Sequence, residues 1–306
     1  MLRYALLRLL GAIPTLLLVI VLAFLMVHAA PGGPFDAERA LPPAVEANIK
    51  AAYNLDEPLP AQFWNYLSGV VRGDLGPSYW HREYTVGELI GNAFPLSIQL
   101  GAIAMLLAVG AGVSAGTFAA LRKDSLLDRV VMGLAMTGIS IPIFVIAPVL
   151  VLLLAVNLNW FPAGWSGNEG AARFVLPVIA LALPQIAYIA RLTRASMIDV
   201  LASDFIRTAR AQGLATGAIV RYHALKPAML PVLSYMGPAI AAILTGSIVV
   251  EEIFGIPGLG QLFVHGAINR DYTLVLGIVI FYAALVVLLN LVVDILYAAI
   301  DPRIRY

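Results

Sequence analysis

Six apolar runs, at about 9–29, 96–119, 130–156, 174–190, 229–250 and 274–299, dominate this chain. Each is about as long as the roughly 20 residues an α-helix needs to cross some 30 Å of hydrocarbon. Inside that hydrocarbon no water can satisfy a backbone N–H or C=O, so helices of this length are the economical way to span it. Composition agrees: 61% of residues are hydrophobic and 12% charged, with a mean hydropathy of +0.89. A water-soluble domain of 306 residues has no interior large enough to hide that surface. The pattern therefore predicts an all-α integral membrane protein of six transmembrane helices.

Positive charge sets the orientation, because Lys and Arg are retained on the cytoplasmic side during insertion. With the N-terminus inside, thirteen of the 19 Lys and Arg fall in inner segments, six of them between Arg191 and Lys226. Both termini are accordingly expected in the cytoplasm. Arg3, Arg8 and the following apolar stretch resemble a secretory signal, but the apolar core is longer than the 7–15 residues of a signal peptide, so the first helix is read as retained. There is no cysteine, which excludes disulfides, thiolate metal sites and lipid anchors on Cys. A net charge of +1, without basic stripes interleaved with aromatics, gives no reason to expect nucleic acid.

The resulting organisation is a first transmembrane helix over 1–29, a periplasmic subdomain over 30–94, and a core over 95–299 with a cytoplasmic loop at 191–228. A short tail follows at 300–306. In the external subdomain Pro42 suits a helix start, and Leu59 to Val71 places Phe63, Trp64, Leu67 and Val70 on one helical face. A second external loop from Asn157 to Arg173 holds Trp160, Phe161 and Trp165, residue types that anchor at membrane interfaces.

Catalytic chemistry finds little footing. Gly112-Val113-Ser114-Ala115-Gly116 matches the G-x-S-x-G elbow of hydrolases, but that motif works on a strand-to-helix turn, and here it lies in a transmembrane run. The same glycines have small-xxx-small spacing, which favours helix packing. An intramembrane hydrolase, the remote alternative, would need a histidine beside Ser114 at similar depth. The dipeptide Gly-Lys never occurs, so a phosphate loop of the G-x-x-x-x-G-K-[ST] type is excluded. No catalytic or metal-ligating set is expected, and any ATP hydrolysis must come from another chain.

The cytoplasmic loop carries its own helix signals. Asp204 is a plausible N-cap, and Gly213 suits the left-handed residue that ends a helix. Between them Phe205, Ala209 and Gln212 share a face, and Arg207 and Arg210 lie on a neighbouring one. Thr216 can open a second short helix, and Pro227 enters the fifth apolar run near its first turn. This predicts a helix-turn-helix elbow on the membrane surface, continuous with the helix that follows.

Two further sets complete the expectations. The stretch Glu252 to Gly260 is rich in glycine and proline, and irregular backbone near membrane depth must be satisfied by protein or a water-filled cavity. The loop is thus expected to fold back onto protein or a cavity, with Leu259 and Phe263 as apolar plugs. Gln99, Gln185, Thr245 and Asn290 are candidates to hydrogen-bond between neighbouring helices.

At the elbow, Gly213, nine residues, His223, then Leu225 and Pro227 resemble the cytoplasmic signature of ABC importer permeases: Glu-Ala-Ala, a few residues, Gly, nine residues, Ile-x-Leu-Pro. This chain departs from it with Arg207-Thr208-Ala209 in place of Glu-Ala-Ala and His223 in place of Ile. Other segments are similar to the peptide and nickel branch of that family. They are Met1 to Pro34, Gly73-Asp74-Leu75-Gly76-Pro77-Ser78, Glu252 to Gly260, Asn269-Arg270-Asp271-Tyr272 and Asp301 to Tyr306. The resemblance spans the whole chain. It implies a non-catalytic subunit, multi-pass in the bacterial inner membrane, of an importer moving oligopeptides from periplasm to cytoplasm by alternating access. Dipeptides, murein peptides or nickel are the alternatives within the branch. The implied partners are a second homologous permease, two ATPase subunits that hold ATP and Mg, a periplasmic peptide-binding protein, the peptide substrate and the lipid bilayer. The coupling residues it implies are Phe205, Arg207, Thr208, Ala209, Arg210, Gly213, His223, Leu225 and Pro227. It also implies that Glu252, Phe254, Pro257, Gly258, Leu259 and Phe263 form a periplasmic gate, and it makes Gln99, Gln185, Thr245 and Asn290 alternative candidates to line a pathway.

Overall fold

The computed structural model describes residues 2–29, 56–166 and 170–300. The helix start expected at Pro42 and the terminal segment from Asp301 to Tyr306 lie outside them. The described residues are almost wholly helical. In order they form α1 (Leu2–Ala29), α2 (Leu59–Val71), α3 (Val86–Leu121), α4 (Leu126–Ser140) and α5 (Ile143–Leu150). After these come α6 (Val175–Leu201), α7 (Asp204–Ala211), α8 (Thr216–Ile219), α9 (Leu225–Ala228), α10 (Leu230–Phe254), α11 (Leu259–Ile268) and α12 (Tyr272–Ile300).

Among the described residues, five helical stretches are long and apolar enough to cross a bilayer: Leu10–Ala29, Val86–Leu121, Gly170–Leu201, Leu230–Phe254 and Tyr272–Ile295. The remaining run, expected as one span over 130–156, is two helices. α4 and α5 meet at 108°, and only together do they pass the same test of length and hydropathy. Pro142 is the cause. It forces Ile141 out of the helical region, to φ −92° and ψ 123°, and supplies no N–H of its own. α5 then continues through a π-helical segment, Val151–Asn157.

α3 begins ten residues earlier than its apolar run suggested. Thr85 and Glu88 form a capping box: the Glu88 carboxylate accepts from Thr85 N at 2.8 Å and from Thr85 Oγ1 at 2.9 Å, while Thr85 Oγ1 accepts from Glu88 N at 3.2 Å. Residues 86–94, assigned by the sequence to the external subdomain, are therefore the opening turns of a transmembrane-length helix that runs on through Pro95. α2 forms where expected, with Pro60 in its first turn. Of the face read from sequence, Phe63, Leu67 and Val70 are half-buried and Trp64 is 68% exposed, while the Tyr66 hydroxyl is buried.

The chain divides into two compact units. One comprises Ser97–Ile256 together with the chain's ends, Met1–Leu6 and Val286–Tyr306. In it α6 is central, packing against α4, α5 and α10. Small residues make the approaches close, as they must where lipid removes the hydrophobic drive between helices. A Cβ on Gly112 would stand 2.8 Å from Ile189 Cβ, and one on Gly116 would collide with Ala190 O and lie 2.7 Å from Thr193 Cβ. The G-x-S-x-G match is thus a helix-packing surface. Ser114 spends its hydroxyl on Gly110 O at 2.7 Å, inside its own helix.

The other unit comprises Leu7–Leu96 and Pro257–Leu285. Its core gathers Val86, Ile90 and Ala93 of α3, Leu259 of α11 and Leu274 and Ile278 of α12. Phe94 and Phe281 meet edge to face at 4.9 Å on its margin. In the same unit Phe24 of α1 packs edge-on against Phe63 of α2.

Candidate functional site

Of the cytoplasmic loop expected over 191–228, residues 191–201 are instead the last turns of α6, and the elbow proper begins at Ser203. α6 ends at Ala202, and α7 follows with Ser203 as its N-cap residue in extended conformation. Asp204, expected at that position, is instead the first helical residue. Ser203 turns its hydroxyl back to Val200 O at 2.5 Å, and Asp204 pairs directly with Arg207, whose Nη1 donates to its Oδ1 at 3.4 Å on the exposed surface. Such an exposed pair contributes little.

α7 stops as its sequence demands. Gly213 takes φ +84°, a conformation that a Cβ penalises. Its N–H donates to Arg210 O at 2.9 Å, and Leu214 N donates to Ala209 O at 3.3 Å. The chain then climbs through α8, a π-helical turn over Val220–Ala224, and α9 with Pro227 inside it. Met229 keeps helical angles between α9 and α10. The second arm of the elbow is therefore one stiff helical path into α10, as expected from Pro227.

Ile206, Ala209, Ile219, Ala224 and Ala228 seal the elbow onto Met197 of α6 and Ala120 of α3. Ile206 and Ala209 are buried in this seal, whereas Phe205, which shares the helix face of Ala209, stands at its edge and is 51% exposed. Gln212 is exposed too. The outer surface presents Phe205, Leu214 and Tyr222 as exposed apolar groups. Arg207, Thr208 and Arg210 are exposed among them, and His223 and Leu225 are half-buried. Arg221 lies over the Tyr222 ring at 5.5 Å.

One ion pair beneath the elbow is not legible in the sequence. Arg194 of α6 grips the Asp128 carboxylate with both Nε and Nη2 at 2.6 Å. The carboxylate also accepts from Asp124 N at 2.9 Å, and its side chain is 3% exposed. In the sequence Arg194 is only a topology signal, and nothing in local spacing pairs two residues 66 apart.

The gate residues fall on either side of a helix stop. Gly255, at φ +65°, ends α10, and Ile256 N returns to Glu251 O at 2.8 Å, a Schellman-type closure. Glu252 and Pro257 are not fully buried, whereas Phe254 and Gly258 are. Phe254 O accepts from Trp165 N at 2.7 Å. Leu259, expected as a plug, is fully buried in the α3–α12 core, with Phe263 packed against the same cluster. Core packing therefore claims both side chains.

In the same unit as Leu259, two motifs distant in sequence form one junction. Asp271 is fully buried and accepts from Ser78 Oγ, Trp80 N and Leu274 N. A cavity of about 250 Å³ opens beside it, lined among others by His28, Gln62, Tyr66, Asp74 and Thr273.

The four pathway candidates separate into two kinds. Gln185 accepts from Tyr235 OH at 2.9 Å, tying α6 to α10. Asn290 presses its amide against Gly237, where a Cβ would collide with it. These two serve helix contacts. Gln99 and Thr245 are at least partly exposed, although Thr245 Oγ1 donates to Ala241 O at 2.5 Å.

The elbow is thus capped by a left-handed glycine, sealed to the bundle and continuous with a long apolar helix. The fold is that of ABC transporter permeases. An inward-facing structure of the MetNI methionine ABC transporter matches with a TM-score of 0.60 and 16% identity, over 70% of this chain and 96% of that one. Residues 112–306 match the family described as the inner membrane component of binding-protein-dependent transport systems, and residues 1–101 match the N-terminal component of the same systems. The chain belongs to this family, and its role is transport across the inner membrane rather than catalysis.

Among similar proteins, the oligopeptide transport system permease protein OppB of Salmonella typhimurium is 56% identical over 308 residues, covering all of both chains. OppB of Haemophilus influenzae is 52% identical, again over the whole of both. The dipeptide transport system permease protein DppB of Bacillus subtilis is 42% identical, over 100% of this chain and 98% of its own.

Proposed function

We propose that this chain is one of two membrane-spanning permease subunits of an ATP-driven importer that carries oligopeptides from periplasm to cytoplasm by alternating access. The observation that carries this reading is the 56% identity across all of both chains with a permease named for oligopeptides. Identity to the dipeptide permease is lower, at 42%. In this reading a homologous permease completes the passage, two ATPase subunits bind ATP and Mg, and a periplasmic peptide-binding protein delivers the peptide. This chain itself holds no cofactor.

The elbow supplies the physical route. Closure of an ATPase pair can move a transmembrane helix only through a stiff element seated in the ATPase. Phe205, Leu214 and Tyr222 are exposed on such an element, and its second arm continues helically into α10. The residues Phe205, Arg207, Thr208, Arg210 and Gly213 form the docking face, and Ala209, His223, Leu225 and Pro227 support it from behind. At the other end, Glu252, Phe254 and Pro257 flank the periplasmic gate, and Gln99 and Thr245 face the passage. The termini lie in the cytoplasm and the segment between the first two membrane helices in the periplasm, so tags at Met1 and Tyr306 should report inside and one at Asn54 outside.

The test is ATP hydrolysis by the complete transporter in lipid vesicles, stimulated by its binding protein. Binding protein loaded with a pentapeptide should stimulate hydrolysis, and loading with a dipeptide or nickel should not. Stimulation by nickel or dipeptides alone would assign the chain to another substrate.

A further inference from the structure

The ion pair between Asp128 and Arg194 stands at the foot of the elbow, and four observations converge on it. The geometry is a two-pronged fork, with Arg194 Nε and Nη2 each 2.6 Å from a different Asp128 oxygen. A fork of this kind fixes angle as well as distance. The carboxylate is almost wholly buried, and Asp124 N also binds it from a residue held at φ +65°. Ser125 caps α4 by accepting from Asp128 N at 3.2 Å, so the pair is anchored in the first turn of that helix.

The surroundings define what the pair joins. Arg194 lies one turn before Met197, which is buried in the cluster that seals the elbow. Ala120, in the same cluster, is the end of α3 just before the turn that leads to Asp128. At the far end of α4, Gly138 lies against Leu183 O and Ala187 Cβ of α6, each 3.4 Å from where its own Cβ would be. Two residues beyond Gly138 α4 ends, and the 108° bend follows. α4 is thus fastened to α6 at both ends, by a directional ionic fork near the elbow and by a small-residue contact near the bend.

We propose that the Asp128–Arg194 pair is the positioning link that makes α4 follow the elbow, so that movement received by α7 reaches the bend at Pro142. The inference rests on the elbow reading given above and adds a second route to the continuous helix through α10. Small apolar contacts alone let α4 slide or rotate against α6. The ionic fork permits neither while it is intact.

The experiment uses the complete transporter in lipid vesicles, with ATP hydrolysis and labelled pentapeptide uptake measured on the same preparation. Asp128→Asn removes the charge, and Arg194→Lys keeps the charge but loses the fork. Both variants should assemble and hydrolyse ATP in response to binding protein, while peptide taken up per ATP falls about tenfold, a usual size for coupling between sites. A merely structural pair would lower both rates together and leave their ratio unchanged. An unchanged ratio in either assembled variant overturns the proposal. Loss of assembly in both variants would make the pair a structural anchor and overturn it as well. Phe205→Glu, in parallel, separates this from the elbow reading. If it abolishes stimulated hydrolysis while Asp128→Asn leaves the ratio intact, only the link is wrong; if it has no effect, the elbow reading fails and the link with it.

Discussion

Ser78 and Asp271, 193 residues apart in the chain, are joined by a hydrogen bond of 2.5 Å from Ser78 Oγ to Asp271 Oδ2. Asp271 is also the N-cap of α12, its other oxygen accepting from Leu274 N. Ser78 passes the connection on by accepting from His81 N at 2.8 Å, and Thr273 Oγ1 donates to Pro77 O at 2.6 Å. One carboxylate therefore starts a transmembrane-length helix and holds the turn that precedes α3. Asp271→Ala removes the cap and strands Ser78 Oγ and Trp80 N. Lost caps cost about 1 kcal/mol and each stranded buried donor about 1–3 kcal/mol. The variant should lose about 3 kcal/mol or more, and Asp271→Asn, which keeps shape but loses acceptor capacity, about half as much. Thermal unfolding in detergent reads both, and a wild-type midpoint for Asp271→Ala would contradict the junction.

Gly116 and Gly110 lie on one helix and make opposite predictions. Gly116→Ala puts a methyl group into Ala190 O and Thr193, whereas a Cβ on Gly110 meets nothing within 4 Å. Forcing atoms into a packed helix contact costs about 1–3 kcal/mol. Gly116→Ala should therefore destabilise the chain, and Gly110→Ala should be neutral or slightly stabilising. Equal behaviour of the two would show that α3 and α6 do not pack as described.

How far the sequence can be read depends on how local each signal is. Five of the six apolar runs, the helix over Leu59–Val71 and the left-handed Gly213 rest on composition and neighbours a few residues away, and these are found in the structure. The start of α3 is also local, in Thr85 and Glu88, but the hydropathy of the run conceals it. Pro142 is visible as a helix breaker, yet the size of the bend follows from what α4 and α5 pack against. Asp128 with Arg194, Ser78 with Asp271 and Gln185 with Tyr235 are pairs between distant segments. Only the fold brings them together, so no spacing rule finds them. Leu259 shows the converse. Its place in a glycine-rich loop suggests a gate, whereas its immediate neighbours in space are Val86, Ile90 and Leu274.

The elbow predicts a graded series at Gly213. A residue with a Cβ in the left-handed conformation costs about 1–2 kcal/mol, so Gly213→Ala should weaken stimulated hydrolysis modestly. Gly213→Pro fixes φ near −65° and deletes the N–H that donates to Arg210 O, and should abolish it in a complex that still assembles. Charging Phe205 should act like Gly213→Pro, because docking would then bury an unpaired charge. Wild-type stimulation in Gly213→Pro would remove the elbow from the coupling route.

The most direct measurement of the central claim is uptake of a labelled pentapeptide into lipid vesicles that contain the complete transporter, with the binding protein outside and ATP trapped within. The account predicts accumulation above the external concentration that needs ATP and is lost with Phe205→Glu. Accumulation driven by an ion gradient without ATP, or none with ATP and loaded binding protein present, would contradict it.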